Sequence, residues 1–452
     1  GECLWRGCIP SKTWRAAADR IRNRAQDERL GVERTAHPRL NWNRLEATRR
    51  ELLMARGALA LKTDKGVRIK IIQGYAAFES EHDLFIDFSA NSDDPYGRSP
   101  PGDRLTGERL SFGAAVIATG ASAFVPPVPG AREGLDSGGV LTSDTVWNLP
   151  AAPKRLAIIG AGAIGVEMAQ MFQDFGTRVA LLEAQPRILA EIDQEIAAKL
   201  ADILDAEPNL TLHASVKVEN ISGQPGKMRL SFSEREGTQH AIRADYVLMA
   251  TGKRPELERL NLEAAGVDVS DGVIKTDDHG RTSTSHIFAC GDVVGGLMLA
   301  HTAAQQGRVA AATILGEDLA YDQAKDCSVI FTRPQAAFVG LSIKQAKARD
   351  MDAIEVKMPM GIDAKAMINC ETEGFIKMVV DRQSKRIIGV HFLCDHTDTL
   401  IGEAVMMISG ELTLKQVAYA IHPHPTQTEL FGDMARRLLS RLRRSRVKTS
   451  AS

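Results

Sequence analysis

Gly160-Ala161-Gly162-Ala163-Ile164-Gly165 is a glycine-rich segment that follows an apolar stretch, Arg155–Ile159, and precedes helical sequence reaching about Phe175. In this spacing the first glycine permits a tight turn, the second lets a pyrophosphate approach the backbone, and the third lets helix pack on strand. The helix N-terminus adds free N–H groups and the positive end of its dipole. The segment therefore predicts a strand–turn–helix unit that binds a dinucleotide.

Glu183 indicates which dinucleotide this unit prefers. Gly176 stops the predicted helix, the strand Val179–Leu182 follows, and Glu183 lies 23 residues after Gly160. A carboxylate there accepts hydrogen bonds from the ribose hydroxyls of NAD and repels the 2′-phosphate of NADP. Arg187 is the one nearby residue that favours NADP. The pattern therefore predicts NAD.

A second dinucleotide-binding unit is indicated by a repeated strand ending. The apolar segment Ala114–Ile117 runs into Ala118-Thr119-Gly120, and Val247–Met249 runs into Ala250-Thr251-Gly252. Strand and helix patterns alternate from Arg155 to about Gly266, which is typical of a parallel α/β sheet. We therefore predict two related dinucleotide-binding folds in one chain.

The rest of the chain gives coarser expectations. The sequence is helical in character from about residue 16 to 60, with a break near residues 31–38, and basic in a tail at residues 436–448 that we expect to be a solvated, fraying helix. Prolines 126, 127 and 129 predict an extended connector. Further predicted strands are Val67–Ile72, Asp83–Phe88, Ser328–Phe331, Gly374–Val380 and Arg386–His391; predicted helices are Lys344–Ala348 and Thr399–Met407; Asn91–Arg104 is a predicted loop.

Composition excludes several classes of protein. The chain has 452 residues, 44% of them hydrophobic, with a formal net charge of -1 and a pI near 6.9. These values are typical of soluble globular proteins and do not favour nucleic acid or an anionic membrane as partner. No apolar stretch reaches the length that spans a bilayer. We expect several domains, no nucleic-acid partner and no membrane segment.

Cysteine usage points to redox chemistry. The six cysteines are at positions 3, 8, 290, 327, 370 and 394, too scattered for a secreted disulfide framework, and a single close pair is too few for zinc. We therefore expect a reducing cytoplasm and no metal site. Cys3 and Cys8 lie at the start of a predicted helix, where a small disulfide ring is readily reduced and the helix N-terminus and Lys12 favour the thiolate. The alternative is two free structural thiols.

Two further segments carry possible site residues. Prolines at 423 and 425 hold His424 in an extended loop, and the carboxylate of Glu429 could orient its imidazole for proton exchange. The segment His286–Asp292 predicts a strand ending in Gly-Asp, where Asp292 could bind a polyol. The alternatives are a structural histidine and a simple turn residue.

These four segments, in this order, resemble the pyridine nucleotide–disulfide oxidoreductase family, class I, over residues 1 to about 439. The dihydrolipoamide dehydrogenase branch is most similar, and glutathione and mercuric reductases are cousins. The resemblance implies FAD and NAD as cofactors and an α/β fold of two Rossmann-like domains plus a C-terminal α+β dimerisation domain. It implies an FAD domain at 1–147, an NAD domain at 148–270, a return to the FAD domain at 271–320, a dimerisation domain at 321–440 and a basic tail at 441–452.

The resemblance also assigns roles to residues. It places Cys8 against the flavin ring and Cys3 toward a small dithiol or lipoyl-domain substrate, with His424 and Glu429 completing the site from the partner subunit of a homodimer. Lys12 would lie near flavin N5 and pair with Glu167. The remaining cofactor residues would be Thr119, Gly120 and Ala121, which line the FAD site; Asp292 on the ribityl chain; Met298, Leu299, Ala300 and His301 at the flavin ring; and Gly252 at the nicotinamide nucleotide.

The departures from the family define the alternatives. Trp5 and Arg6 replace the usual Asn-Val between the cysteines, and the C-terminal Cys-Cys of the mercuric branch is absent from the sequence. The family's FAD phosphate turn would precede Cys3, so we expect about 30–40 residues to be missing from this sequence and FAD to bind it poorly. We predict a dihydrolipoamide dehydrogenase-like enzyme; the alternatives are another acceptor (mercuric ion, a glutathione-type disulfide or a quinone) or a catalytically silent dimeric interaction subunit.

Overall fold

The computed structural model describes residues 2–27, 30–33, 38–67, 69–88 and 107–449. The chain forms two compact units. The first comprises residues 1–53, 125–251 and 324–452, and the second comprises residues 54–124 and 252–323. The predicted loop Asn91–Arg104 and part of the predicted break near residues 31–38 lie outside the described residues.

The described helices and strands are as follows. The helices are α1 Glu2–Trp5, α2 Cys8–Asp27, α3 Trp42–Gly66, α4 Ala131–Ser137, α5 Ala163–Asp174, α6 Gln194–Asp205, α7 Ala300–Ile314, α8 Ile343–Ala348, α9 Ala364–Asn369, α10 Thr397–Ser409, α11 Leu414–Ala418 and α12 Glu429–Thr449. The strands are β1 Tyr75–Phe78, β2 Asp83–Asp87, β3 Gly107–Ser111, β4 Ala115–Ile117, β5 Ala121–Ala123, β6 Val140–Thr142, β7 Arg155–Ile159, β8 Arg178–Glu183, β9 Leu210–Ala214, β10 Val216–Gln224, β11 Lys227–Glu234, β12 Gln239–Ala244, β13 Tyr246–Met249, β14 Lys253–Pro255, β15 Val269–Ser270, β16 Val273–Ile274, β17 Ile287–Ala289, β18 Cys327–Ile330, β19 Gln335–Gly340, β20 Ala353–Pro359, β21 Phe375–Asp381 and β22 Ile387–Cys394.

A five-stranded parallel sheet lies at the centre of the first unit, in the order β6-β13-β7-β8-β9. Its middle strands are almost entirely apolar because both faces of such a sheet are covered. Ile158 is fully buried and lies opposite Leu248 on one side and Leu181 on the other. The predicted strands and the helix after the glycine turn are confirmed here to within one or two residues.

A three-stranded antiparallel sheet, β10-β11-β12, interrupts this parallel unit. Strand and helix were predicted to alternate from Arg155 to about Gly266, and that prediction is wrong for residues 216–244, where three strands follow one another without a helix. The sequence here alternates with period two: Met228, Leu230 and Phe232 are buried while their neighbours on β11 are more exposed. Period-two burial is the signature of a strand with one covered face.

The C-terminal part of the first unit is a five-stranded antiparallel sheet, β18-β19-β22-β21-β20, packed with helices. The rings of Phe392 on β22 and Phe431 on α12 meet edge to face at 6.0 Å. The predicted strands and helices are confirmed with small boundary shifts. The prediction of a solvated, fraying helix at residues 436–448 is wrong as far as Leu442, because Leu438 and Leu442 are buried and tie α12 to this core.

The described part of the second unit contains a three-stranded antiparallel sheet, β1-β2-β3, and several two-stranded pairs. The predicted strand Val67–Ile72 is wrong: α3 extends to Gly66, and Val67, Ile69 and Ile71 are 64%, 56% and 56% exposed. These residues alternate, but alternation forms a strand only where a partner and a covered face exist. Predicted strand Asp83–Phe88 is confirmed as β2. Within the described residues, no helix has the length and apolar character needed to cross a membrane.

Candidate active site

Cys3 and Cys8 are joined by a disulfide at the junction of two helices of the first unit. Cys3 lies in α1, and Cys8 is the first residue of α2, with their Cα atoms 4.6 Å apart. Gly7 between them is closely packed, because a Cβ there would lie 3.3 Å from the Cα of Cys3. The alternative of two free structural thiols is therefore not what the structure contains.

Lys12 lies one turn after Cys8 and is held by a buried acid. Its Nζ donates to Oε2 of Glu167 at 2.7 Å, the contact that the resemblance predicted, and lies 4.1 Å from the centroid of the Phe331 ring. The other oxygen of Glu167 accepts from the backbone N–H of Phe331 at 2.9 Å. Both carboxylate oxygens are therefore engaged, and the ammonium group is fixed one turn into the helix that Cys8 begins.

A buried charge cluster, which the sequence did not reveal, anchors the redox helix. Arg15 on α2 contacts Asp174 of α5 at 2.7 Å, and Arg333 contacts the same carboxylate at 3.0 Å and Glu207 at 3.3 Å. The side chain of Asp174 is wholly buried. Breaking such a cluster would leave a buried charge without its partner, which is unfavourable. The cluster therefore fixes α2 against the parallel sheet. The partners lie more than a hundred residues apart, and no local spacing could have signalled them.

The glycine turn is the observed connection between β7 and α5. Gly160 has a φ of +100°, and a Cβ on Gly165 would lie 1.9 Å from the carbonyl oxygen of Gly160. A Cβ on Gly162, in contrast, would meet no protein atom within 4 Å. Gly160 and Gly165 therefore serve the fold itself, whereas Gly162 leaves open space beside the backbone, as a bound pyrophosphate would need.

The charged residues at the end of β8 and in the loop after it also suit NAD. One oxygen of Glu183 accepts from the backbone N–H of Ala161 in the glycine turn at 2.6 Å, which places the carboxylate beside that turn. The guanidinium of Arg187 donates to the backbone carbonyls of Leu189 and Ile192, each at 3.3 Å. Arg187 is thus hydrogen-bonded to its own loop, so it no longer argues for NADP.

The two glycines give a prediction that separates folding from binding. Gly165→Ala should lower the unfolding temperature, because helix α5 must move off Gly160, and overpacking of this kind costs about 1–3 kcal/mol. Gly162→Ala should unfold like the parent but bind NADH about tenfold more weakly, since its Cβ occupies the space for the pyrophosphate. Calorimetric NADH binding and thermal unfolding measure the two effects. Gly361→Ala, where a Cβ also meets no atom within 4 Å, is the matched control. Parental NADH affinity in Gly162→Ala would contradict this assignment.

In the second unit, β5 and β14 connect several of the predicted FAD residues. Ala121 pairs with Pro255, and Thr119 donates to the carbonyl of Glu256 at 3.4 Å. Gly120 and Gly252 both have positive φ and open space where a Cβ would lie. Such exposed backbone can accept a close ligand. Residues 119–121 thus leave backbone open on the side where the resemblance implies FAD, and Gly252 does so where it implies the nicotinamide nucleotide.

Asp292 lies just after β17 in a short 3-10 helix of the second unit. Lys253 on β14 approaches its carboxylate to 4.0 Å, which links it to the β5–β14 segment. The backbone N–H of Gly291 donates to the side chain of Gln306 at 2.8 Å, a contact that the sequence did not predict. Met298 has a φ of +50°, and residues 298–301 lead into α7, with His301 exposed. A half-buried carboxylate here is suited to bind hydroxyl groups.

His424 and Glu429 form the predicted pair. The Nδ1 atom of His424 lies 3.1 Å from Oε1 of Glu429, whose other oxygen accepts from the backbone N–H of Thr426 at 2.9 Å. The hydrogen bond from the Thr426 N–H and, to a smaller extent, the one with His424 lower the pKa of Glu429. The His424 side chain is 75% exposed, so Nε2 remains available for another group. An unpredicted pair, His422 and Glu403, lies alongside at 2.9 Å.

The chain is similar to known proteins over most of its length. The model of the pyridine nucleotide-disulphide oxidoreductase family matches residues 1–307, and that of its dimerisation domain matches residues 327–435. Dihydrolipoyl dehydrogenase of Bacillus subtilis (strain 168) is 29% identical over 439 residues, covering 96% of this chain and 88% of that protein. The corresponding protein of Geobacillus stearothermophilus is 30% identical over 437 residues, covering 96% and 88%.

Other relatives carry different names. Mercuric reductase of Staphylococcus aureus is 31% identical over 431 residues, covering 95% of this chain and 74% of that protein. The solved structure of RclA, an HOCl-induced flavoprotein disulfide reductase from Escherichia coli, superposes with a TM-score of 0.79 at 26% identity, covering 96% and 91% of the two chains. LpdA from Mycobacterium tuberculosis superposes with a TM-score of 0.84 at 23% identity, covering 97% and 91%, which is a likeness of fold.

Proposed function

Because this chain belongs to the pyridine nucleotide-disulphide oxidoreductase family, we propose that it passes electrons between NAD(H) and a small dithiol of the dihydrolipoamide type through Cys3 and Cys8. The observation that carries this proposal is the bonded cysteine pair at the start of α2, in the same chain as an intact dinucleotide turn. The relatives named dihydrolipoyl dehydrogenase support the choice of substrate.

Several predictions are confirmed by family membership. The chain is an NAD-dependent flavoprotein disulfide oxidoreductase of α/β fold that uses FAD and NAD(H), and it carries the dimerisation domain of a homodimer. The alternative of a catalytically silent interaction subunit is therefore not favoured. The domain boundaries given above and the individual site residues remain proposals.

The two cysteines have different roles in this proposal. Cys8, as the first residue of α2, has its sulfur at the positive end of the helix dipole, and the ammonium of Lys12 lies one turn further on. Both features stabilise a thiolate at Cys8. FAD, when bound, supplies the two-electron relay between this thiolate and NAD⁺. Cys3, on the neighbouring helix, meets the substrate.

Proton transfer is assigned to His424 of the partner subunit. Glu429 holds Nδ1 of the imidazole, so Nε2 can take the proton of a substrate thiol. The substrate thiolate then attacks the sulfur of Cys3, and Cys8 leaves as a thiolate. The second substrate thiol attacks the mixed disulfide, which releases Cys3 and yields a cyclic disulfide product. Two electrons have then passed from substrate to protein.

The remaining cofactor residues are proposed from the same geometry. Residues 160–165 and Glu183 would hold NAD, with Gly252 against its nicotinamide nucleotide. Thr119, Gly120, Ala121, Asp292 and residues 298–301 would hold FAD, and Lys12 with Glu167 would lie near the flavin. Cys290, Cys327, Cys370 and Cys394 are not joined in disulfides, which supports a reducing compartment such as the cytoplasm.

An acceptor panel tests the substrate. With NADH as donor, kcat/KM for lipoamide should exceed that for glutathione disulfide, mercuric ion and a water-soluble quinone by at least about tenfold, the discrimination that a site shaped for one substrate provides. NADPH in place of NADH should be at least about tenfold poorer because of Glu183. A higher kcat/KM for any of the other three acceptors would contradict the dithiol proposal and favour that acceptor instead. The similarities to mercuric reductase and to the disulfide reductase RclA are the reason for including such acceptors.

A further inference from the structure

Arg6 lies inside the ring that the disulfide closes, and the structure fixes it there. Its Nη1 atom lies 3.4 Å from Oδ1 of Asp144. Its carbonyl oxygen accepts from Nε1 of Trp147 at 2.8 Å, and its backbone N–H donates to the carbonyl of Glu2 at 2.9 Å. Backbone and side chain are thus both held, so the guanidinium group cannot swing freely into solvent.

The charges of Arg6 and Asp144 are poorly screened by solvent. The side chain of Arg6 is 17% exposed and that of Asp144 is 8% exposed. Arg6 is two residues from Cys8 and three from Cys3, so its Cα lies within about 7 Å and 11 Å of theirs even in an extended chain. Salt screens a partly buried charge less than an exposed one, so the charges of Arg6 and Asp144 can act on the neighbouring sulfurs.

We propose that Arg6 and Asp144 set the reduction potential of the Cys3–Cys8 disulfide in opposite directions. Reduction breaks one S–S bond, adds two electrons and leaves two sulfurs that are thiols or thiolates, with protons taken from solvent. A positive charge stabilises the thiolate and so favours the reduced form, whereas a negative charge disfavours it. This inference rests on the proposed redox role of the disulfide and adds two positioning residues to it.

The two substitutions should shift the reduction potential in opposite directions, which distinguishes this role from a structural one. Arg6→Met and Asp144→Asn both break the same ion pair, so a purely structural contribution would shift both variants in one direction. Charge tuning predicts that Arg6→Met makes the disulfide about threefold harder to reduce, which is about 14 mV at 29.6 mV per tenfold change in the equilibrium constant. Asp144→Asn should make it about threefold easier to reduce, and Arg6→Lys should stay near the parent.

The measurement is a redox titration of the holoenzyme in buffers of reduced and oxidised dithiothreitol. Alkylation and mass spectrometry then give the fraction of Cys3 and Cys8 present as thiols, which does not depend on turnover. Arg155→Met, which removes another part-buried ion pair at 3.0 Å from Asp245, is the matched control and should not shift the midpoint. Shifts of the same sign in Arg6→Met and Asp144→Asn, or shifts no larger than that of the control, would overturn the proposal. Absence of any reducible disulfide would instead refute the proposed function.

Discussion

Cys8→Ser should reduce NADH-dependent lipoamide turnover by at least about a thousandfold, in the range found when an enzyme loses its reacting nucleophile. Serine cannot form the disulfide with Cys3, so the chain loses the group that accepts the electron pair. Steady-state assays of the purified variant measure the loss. Cys370→Ser is the matched control: Cys370 is a free cysteine of the same unit and should be replaceable without loss of turnover. Unchanged turnover in Cys8→Ser would remove the disulfide from the mechanism.

The same variant tests whether the site is shared between subunits. Mixed dimers of Cys8→Ser and His424→Gln chains contain one site with both Cys8 and His424 intact and one site with neither. Random pairing makes half of the dimers mixed, so activity should recover to about a quarter of the parent. No recovery in dimers shown by mass to be mixed would place His424 in the site of its own chain, and full activity of His424→Gln homodimers would place it outside the reaction.

Lys377→Met should cost about 3–5 kcal/mol of unfolding free energy, because it leaves the buried carboxylate of Asp193 and the part-buried carboxylate of Glu355 without their cation. Lys377 on β21 is 5% exposed at its side chain and lies 3.1 Å from Asp193, 3.0 Å from Glu195 and 3.4 Å from Glu355. Urea unfolding at pH 8 measures the change. Lys199→Met, which removes an exposed ion pair with Glu373 at 3.2 Å, should cost less than about 1 kcal/mol.

Lys377 and its three carboxylate partners stabilise the fold to an extent that depends on pH, as their pKa shifts show. Burial acts to raise the pKa of Asp193, but its bonds with Lys377 outweigh burial and lower it; burial likewise opposes the rise in the pKa of Lys377 that its acidic partners cause. The contribution of Asp193 is therefore lost as pH falls through its lowered pKa, and that of Lys377 is lost as pH rises through its raised pKa. In Lys377→Met the carboxylates relax by taking up protons in acid. The loss of unfolding free energy in Lys377→Met relative to the parent should thus be smaller at pH 4 than at pH 8. A loss that grows as the pH falls would contradict this explanation.

Local chemistry made much of the fold predictable. The strand Arg155–Ile159 and the helix after it were correctly placed because a glycine turn leaves few conformations open and because buried parallel strands are continuously apolar. The pairing of Lys12 with Glu167 came from the family resemblance, since 155 residues separate the two. No spacing rule connects residues so distant in sequence.

What the sequence could not supply was tertiary context. Val67–Ile72 alternates like a strand, yet the structure pairs none of its described residues with another strand, and Val67, Ile69 and Ile71 are exposed. Residues 216–244 form an antiparallel sheet within a region that was predicted to alternate strands with helices. Lys377 and Asp193 are 184 residues apart, and neither stands in a recognisable motif. The ion pair of Arg6 with Asp144 was hidden in the same way, so Arg6 could be seen only as a departure from the family pattern.

The central claim is that Cys3 and Cys8 receive the electrons of NADH. Its most direct test is an anaerobic incubation of the holoenzyme with one equivalent of NADH, followed by rapid alkylation and mass spectrometry of the Cys3–Cys8 peptide. We expect two alkylated thiols, one at Cys3 and one at Cys8, for each NADH consumed. Oxidation of NADH while this peptide remains disulfide-linked would contradict the account.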